Sequence, residues 1–344
     1  MNLITLLAVT LSLSTTALLP PLRLLDRGKR DEKGKPDETM SRKDDAPKQD
    51  EKPAADTKSR KERKYLIGDP PAGYYEVEDF KNVAYRDDRQ ADPVKNKLDL
   101  YLPKGQRDFP VMFFVHGGGW HSGNKELYAP IGHVFARNGI GAVVINYRLS
   151  PQVQFPAHVE DVARAFAWTR ANIARYGGRP DRIICCGHSA GGHLVALLAT
   201  DESYLKAEKC SFKDIRCAIT ISGVYAIDAI HGTYGSVFGR DRGDRRDASP
   251  LHHASKDSPP FFILFAEKDL PTIERVSGEF YDALKKVKVD VRAQMVPQRT
   301  HISIILQSHK DDDATTLAMF DYIERHTEWK RPPAPTTQDQ RKPK

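Results

Sequence analysis

Gly187-His188-Ser189-Ala190-Gly191 constrains this chain more than any other stretch. It stands directly between a β-type run, Arg182-Ile183-Ile184-Cys185-Cys186, and an apolar helical run, Leu194 to Leu198. A serine with a glycine two residues to either side can occupy a sharp strand-to-helix turn, a nucleophile elbow, where absent Cβ atoms let backbone segments approach and the hydroxyl projects beyond the sheet. Taken alone the pattern is equally a glycine-rich turn that happens to contain serine, so the flanking chain has to decide.

The flanks read as alternating strands and helices. Two alternating runs, Val83 to Arg86 and Lys97 to Leu102, suit antiparallel leading strands. Pro110 to Val115 is apolar at consecutive positions, which predicts a strand buried on both faces. A helix-like segment from Glu126 to Asn138 is stopped by Gly139, and a second buried strand runs from Ile140 to Tyr147. Val159, Val162, Ala163, Phe166 and Ala167 share one helical face ahead of the strand Asp181 to Cys186. Beyond the elbow come strand candidates at Cys217 to Ile221, Phe261 to Phe265 and Asp290 to Val296, with helices at Thr272 to Lys286 and Thr315 to His326. This order predicts one α/β domain, 65–327, with a mostly parallel central sheet and helices on both faces. The rhythm fails between Ser222 and Phe261, an insertion that is either a substrate-facing loop or lid or, for its Arg/Asp-rich part Arg240 to Asp247, a solvated surface.

The ends differ from this body. Residues 1–20 are apolar and Ser/Thr-rich and lead into Pro20-Pro21, which reads as a secretory segment or, if uncleaved, an N-terminal membrane anchor; export to the periplasm or outside is the expectation. Residues 21–64 read as a disordered charged linker: 26–64 hold 14 Lys/Arg and 11 Asp/Glu with no Leu, Ile, Val or aromatic residue. Residues 328–344 read as a loose basic tail. The formal charge of +7 belongs to these ends, since 65–327 holds 33 basic against 33 acidic residues. A nucleic-acid partner is therefore not expected. Four cysteines make neither a disulfide scaffold nor a zinc pattern; Cys185 and Cys186 read as buried thiols, and Cys210 and Cys217 as a pair only if the protein is exported. Nothing in the pattern sets an oligomeric state.

Acyl transfer by serine needs a base, a carboxylate to orient it and donors for an oxyanion. Ser189 is the candidate nucleophile. Asp269 follows the strand ending at Phe265, at the far end of the turn Glu267-Lys268-Asp269-Leu270-Pro271, and is preferred over Glu267 as the orienting acid. His301 lies past the last strand in Pro297-Gln298-Arg299-Thr300-His301, the place of the base; His309 and His252-His253 read as structural or surface. His116-Gly117-Gly118-Gly119-Trp120, after a buried strand, supplies amides unobstructed by Cβ atoms, so Gly117, Gly118 and Ala190 are the candidate oxyanion donors. The glycine run lacks a Gly-Lys-Ser/Thr ending, which removes a phosphate-loop reading. His116 and His121 have no clustered partner, and no metal or cofactor is expected.

These motifs together resemble the α/β-hydrolase superfamily, and within it the hormone-sensitive-lipase-like esterases and the related feruloyl/acetyl esterase and kynurenine formamidase groups. The resemblance is carried by HGGGW, Asn146-Tyr147-Arg148-Leu149-Ser150-Pro151, Phe155-Pro156-Ala157 with Asp161, GHSAGG at 187–192, and the Asp269 and His301 loops. It implies an α/β-hydrolase fold, a Ser189-His301-Asp269 triad cleaving carboxylic esters through an acyl-enzyme, and supporting places for Arg148 and Asp161. Substrates would be small-molecule or polysaccharide-linked esters. The alternatives are a formamidase acting on an N-formyl aryl amide, a polysaccharide acetyl or feruloyl esterase, and a non-catalytic hydrolase-fold binding module. Two departures stand out: only about 65–80 precedes the first strand, and the approach to His301 is polar where relatives often carry glycine.

Overall fold

In this computed structural model, residues 74–227 and 234–332 are described. The expected leader at 1–20, the linker at 21–64 and the tail beyond 332 lie outside the described residues. Among the described residues no helix is long and apolar enough to cross a membrane.

Eight strands form one sheet: β1 (Val77–Ala84), β2 (Lys97–Pro103), β3 (Phe109–Val115), β4 (Gly141–Ile145), β5 (Gly178–His188), β6 (Cys217–Ile221), β7 (Phe261–Lys268) and β8 (Val291–Thr300). Their order across the sheet is β1-β2-β4-β3-β5-β6-β7-β8. β1 and β2 pair antiparallel, as does β2 with β4, and every later pairing is parallel. The nine helices among the described residues are α1 (Ala129–Arg137), α2 (Ala157–Asn172), α3 (Ala190–Leu198), α4 (Glu202–Ala207), α5 (Gly235–Phe238), α6 (Arg242–Asp247), α7 (Ile273–Lys286), α8 (Ser303–Leu306) and α9 (Ala314–His326).

The consecutive apolar residues of β3 serve both faces. Val111, Phe113 and Val115 join a core with Phe166 of α2, Leu194 of α3 and Phe280 of α7. Met112 and Phe114 point the other way, into a second core with Phe135 of α1 and Phe320 of α9. β3 also lies between β4 and β5, so chain order reverses direction across it, and the crevice at the carboxyl ends of such strands is where open α/β sheets place their sites.

Several bounds differ from expectation for local reasons. The edge strand β1 begins at Val77, ahead of the expected start at Val83; its residues are only half-buried or exposed, so it carries little apolar signal. The expected helix from Glu126 is a 3₁₀ turn, Lys125–Tyr128, followed by α1, because Pro130 starts a new helix within its first two positions. The packed body runs past 327: Trp329 is buried and its indole N–H donates to the Asn138 carbonyl at 3.0 Å. Cys210 and Cys217 do not pair; all four cysteines are free and buried.

Candidate active site

The elbow forms because two backbones must nearly touch. A Cβ on Gly191 would stand 2.1 Å from the Val115 carbonyl oxygen, and one on Gly187 would stand 2.3 Å from that of Gly191. Only glycine permits α3 to start against the end of β3, and Ser189 turns the corner with φ 54° and ψ −117°. That conformation is sparsely populated for a side-chain-bearing residue and is held by the Ser189 N–H bond to the Ile221 carbonyl, 2.8 Å.

Three strand ends deliver the predicted groups to one place. Ser189 leaves β5, Asp269 follows β7 and His301 follows β8. The Ser189 hydroxyl lies 2.9 Å from His301 Nε2, and His301 Nδ1 lies 2.6 Å from Asp269 Oδ1. A carboxylate oxygen only accepts, so Nδ1 carries the ring proton and Nε2 faces the serine as an acceptor. Both His301 and the Asp269 side chain are almost fully buried.

Asp269 is heavily supported. Its Oδ2 accepts from Ser222 Oγ at 2.5 Å and from the Ala266 N–H at 2.9 Å; Oδ1 also accepts the Leu270 N–H at 2.8 Å. Burial raises its pKa, but hydrogen bonds from His301, Ser222 and the Ala266 amide outweigh that and hold it below the ordinary carboxylate value. The competing Glu267 is turned elsewhere, accepting the Gln298 N–H at 2.7 Å.

The glycine loop departs from expectation at one atom. The Gly117 N–H donates to Tyr128 Oη at 3.1 Å, so this amide, expected at the oxyanion, is already engaged within the protein. The amides of Gly118, Gly119 and Ala190 have no partner among the described residues. Gly118 holds φ 129°, and a Cβ there would lie 2.1 Å from the Ser122 carbonyl oxygen, so the loop admits only glycine at that point.

Trp120 and the insertion close this side. The Trp120 indole N–H donates to His193 Nδ1 at 3.2 Å, and its ring meets Tyr234 and Phe238 edge-on with centroids 5.1 and 4.9 Å away. His193 Nε2 in turn reaches the Ala248 carbonyl at 2.7 Å. The insertion thus divides: Tyr234 and Phe238 pack against Trp120 at the end of the glycine loop, whereas α6 buries no residue and is a solvated surface.

The remaining candidates have structural places. Arg148 grips the buried Asp161 through two bonds of 2.7 and 2.9 Å and fixes the chain after β4 to α2. His116 stacks on Tyr147 at 4.4 Å. His121 lies 3.2 Å from the Ser150 carbonyl oxygen through Nδ1, and His253 Nε2 lies 2.8 Å from that of Asp247. His309 stands exposed on the turn Gln307–His309. No group of three or more His, Cys, Asp or Glu suited to a metal occurs among the described residues. Sequence reasoning missed Ser222, Tyr128 and His188; Ser222 alone left a signal, a small hydroxyl directly past a strand end.

The BD-FAE family model matches residues 98–284, which contain the glycine loop, the elbow and Asp269. Among curated relatives, the probable carboxylic ester hydrolase LipM of Mycobacterium tuberculosis is 37% identical over 196 residues, 52% of this chain and 45% of that protein. Esterase LipQ of the same organism is 35% identical over 211 residues, 56% of this chain and 50% of that protein. The chain thus spans about half the length of the curated relatives it matches. Among solved structures, a truncated form of a carbohydrate esterase from gut microbiota superposes with a TM-score of 0.64 at 21% identity, covering 76% of this chain and 99% of that one. That likeness shows the fold, an α/β-hydrolase sheet.

Proposed function

The chain belongs to the BD-FAE family, and from that membership we propose that it hydrolyses carboxylic esters through an acyl-enzyme formed on Ser189. The carrying observation is the hydrogen-bonded line Ser189 Oγ, His301 Nε2 and Nδ1, Asp269 Oδ1, at 2.9 and 2.6 Å, assembled from three separate strand ends.

In this reading Ser189 Oγ attacks the ester carbonyl carbon while its proton passes to His301 Nε2. The carbonyl π bond becomes the lone pair of an oxyanion, and Asp269 stabilises the imidazolium that forms. His301 then returns the proton to the departing alcohol oxygen as the C–O bond breaks. Water repeats the sequence on the acyl-serine, giving the acid and free Ser189. The oxyanion donors we assign are Gly118 and Ala190, with Gly119 taking the place expected of Gly117. A single such donor is worth roughly 100- to 1,000-fold in rate. LipM and LipQ, named as ester hydrolases, support an ester over an N-formyl amide as the substrate.

The test treats the full chain with a fluorophosphonate probe and maps the modified residue by mass spectrometry, alongside hydrolysis of p-nitrophenyl acetate, N-formylkynurenine and acetylated xylan. Modification of Ser189 and ester turnover that both vanish in Ser189→Ala are expected. Undiminished ester hydrolysis by purified Ser189→Ala refutes the assignment, and a preference for N-formylkynurenine moves the chain to the formamidase reading.

A further inference from the structure

The residue before the nucleophile has no part in the acyl-transfer steps, yet it touches more of the machinery than any of them requires. His188 ends β5, is 3% exposed, and has both ring nitrogens engaged. Nε2 lies 2.9 Å from the backbone carbonyl oxygen of His301, and Nδ1 lies 3.4 Å from Tyr128 Oη. Its ring packs against the His301 ring with centroids 5.0 Å apart. On its other side Gly117 sits so close that a Cβ there would lie 2.9 Å from His188 Nδ1.

The hydrogen-bond directions are mutually consistent. A carbonyl oxygen only accepts, so Nε2 carries the ring proton and donates it to His301. Nδ1 is then an acceptor. Tyr128 Oη already accepts the Gly117 N–H, which leaves its own proton to point at Nδ1. Burial pushes the His188 pKa down to about 3 and that of the Tyr128 hydroxyl up to about 12, so both partners keep these roles at neutral pH. One neutral ring therefore joins the loops that leave β3, β5 and β8, which carry the oxyanion amides, the nucleophile and the base.

Resting on the esterase reading above, we propose that His188 is a positioning residue of this site. Its Nε2–H fixes the main chain of His301, and hence the distance from base to nucleophile, while its Nδ1 acts through Tyr128 on the Gly117-Gly118 loop, so that base and oxyanion donors share one frame. Nε2 faces a carbonyl, so the ring is not a second base; it touches no reacting atom.

The experiment compares His188→Leu, His188→Gln and Tyr128→Phe with the parent, as full chains corrected for folded fraction by circular dichroism. It reads kcat and KM on p-nitrophenyl acetate and the rate of fluorophosphonate labelling of Ser189. Misplacing a reacting group by about 1 Å costs on the order of 100-fold, so His188→Leu is expected to lose about 10- to 100-fold in kcat and in labelling rate. KM should stay within about threefold, because substrate contacts are untouched. His188→Gln, which can place an amide N–H near the position of Nε2, should recover about tenfold, and Tyr128→Phe should slow labelling by about tenfold. A His188→Leu protein that labels and turns over within twofold of the parent, or a Gln variant no better than Leu, overturns the proposal. Where His188→Leu does not fold, Tyr128→Phe decides, with unchanged labelling overturning it. Absence of labelling in the parent instead removes the esterase reading itself, a distinguishable failure.

Discussion

Four histidines are sealed into this body, and they make its stability fall with acid in a calculable way. His116, His158 and His193 are fully buried and His188 nearly so. Burial is the first cause in each case and pushes the pKa from 6.5 down to about 4 for His116, His158 and His193 and to about 3 for His188. In the folded state these rings stay neutral below pH 6.5, whereas in the unfolded chain each takes a proton. Between about pH 4 and 6.5 the unfolded state therefore binds more protons, and stability rises with pH across that window. The contribution is fully present above about 6.5 and is lost as pH falls toward 4. A pKa lowered from 6.5 to about 4 corresponds to about 3 kcal/mol, a large share of the roughly 5–15 kcal/mol an ordinary domain has, and the four rings act in the same direction. Near pH 5 unfolding takes up between three and four protons, a slope of about 5 kcal/mol per pH unit. Urea midpoints and melting temperatures between pH 8 and 4.5, at matched ionic strength, give this slope directly. Cooperative unfolding near pH 5 is expected, and His158→Gln, which removes one titrating ring outside the Ser189-His301-Asp269 line, should lower the slope by about one proton. Equal stabilities at pH 7.5 and 5.5 would refute the reasoning.

Two further substitutions separate support from chemistry. Ser222→Ala removes the 2.5 Å donor to Asp269 Oδ2. The Asp269 pKa should rise toward the ordinary carboxylate value and kcat/KM should fall by about tenfold. The stability Asp269 lends, fully present above the unfolded carboxylate pKa and lost as pH falls through its folded pKa, should shrink, with its loss complete at a higher pH than in the parent; pH-rate and pH-stability curves measure both. Arg148→Ala removes both guanidinium bonds to the fully buried Asp161, which keeps only the residue-148 backbone N–H at 3.0 Å and the more distant Arg164 at 4.0 Å, and should lower stability by about 3 kcal/mol in urea titration while the folded fraction keeps its kcat within about threefold.

The sheet was legible wherever burial was two-sided. β3, β4, the core of β7 and, but for the hydrogen-bonded Thr220, β6 announce themselves as consecutive apolar residues, because both faces are buried. β1 was misplaced for the complementary reason: an edge strand with half-exposed residues can be polar throughout without losing its ladder. Ser189, Asp269 and His301 were legible because each follows a strand that is itself readable, and parallel strands bring all their carboxyl ends to one edge. That is how residues 112 apart in the chain come within 2.9 Å.

What stayed hidden depends on which side chain meets which amide once the loops converge. A run of three glycines says that backbone donors are accessible; it does not say which of them is already taken. Tyr128 decides that for Gly117, from a segment eleven residues later whose local pattern reads only as the start of a helix. Tyr128 ends the 3₁₀ turn and precedes α1, which starts at Ala129-Pro130, and from that corner its hydroxyl reaches back to the loop it follows. His188 is hidden in the same way, since a histidine at a strand end is indistinguishable in sequence from a solvated one. Its role emerges only when β8, more than one hundred residues on, delivers a carbonyl oxygen to its Nε2. The groups proposed for catalysis are thus placed by topology, which periodicity reveals. Their alignment is specified by contacts between loops, which it does not, and so the consequences of altering Tyr128, His188 and Ser222 follow from the assembled site alone.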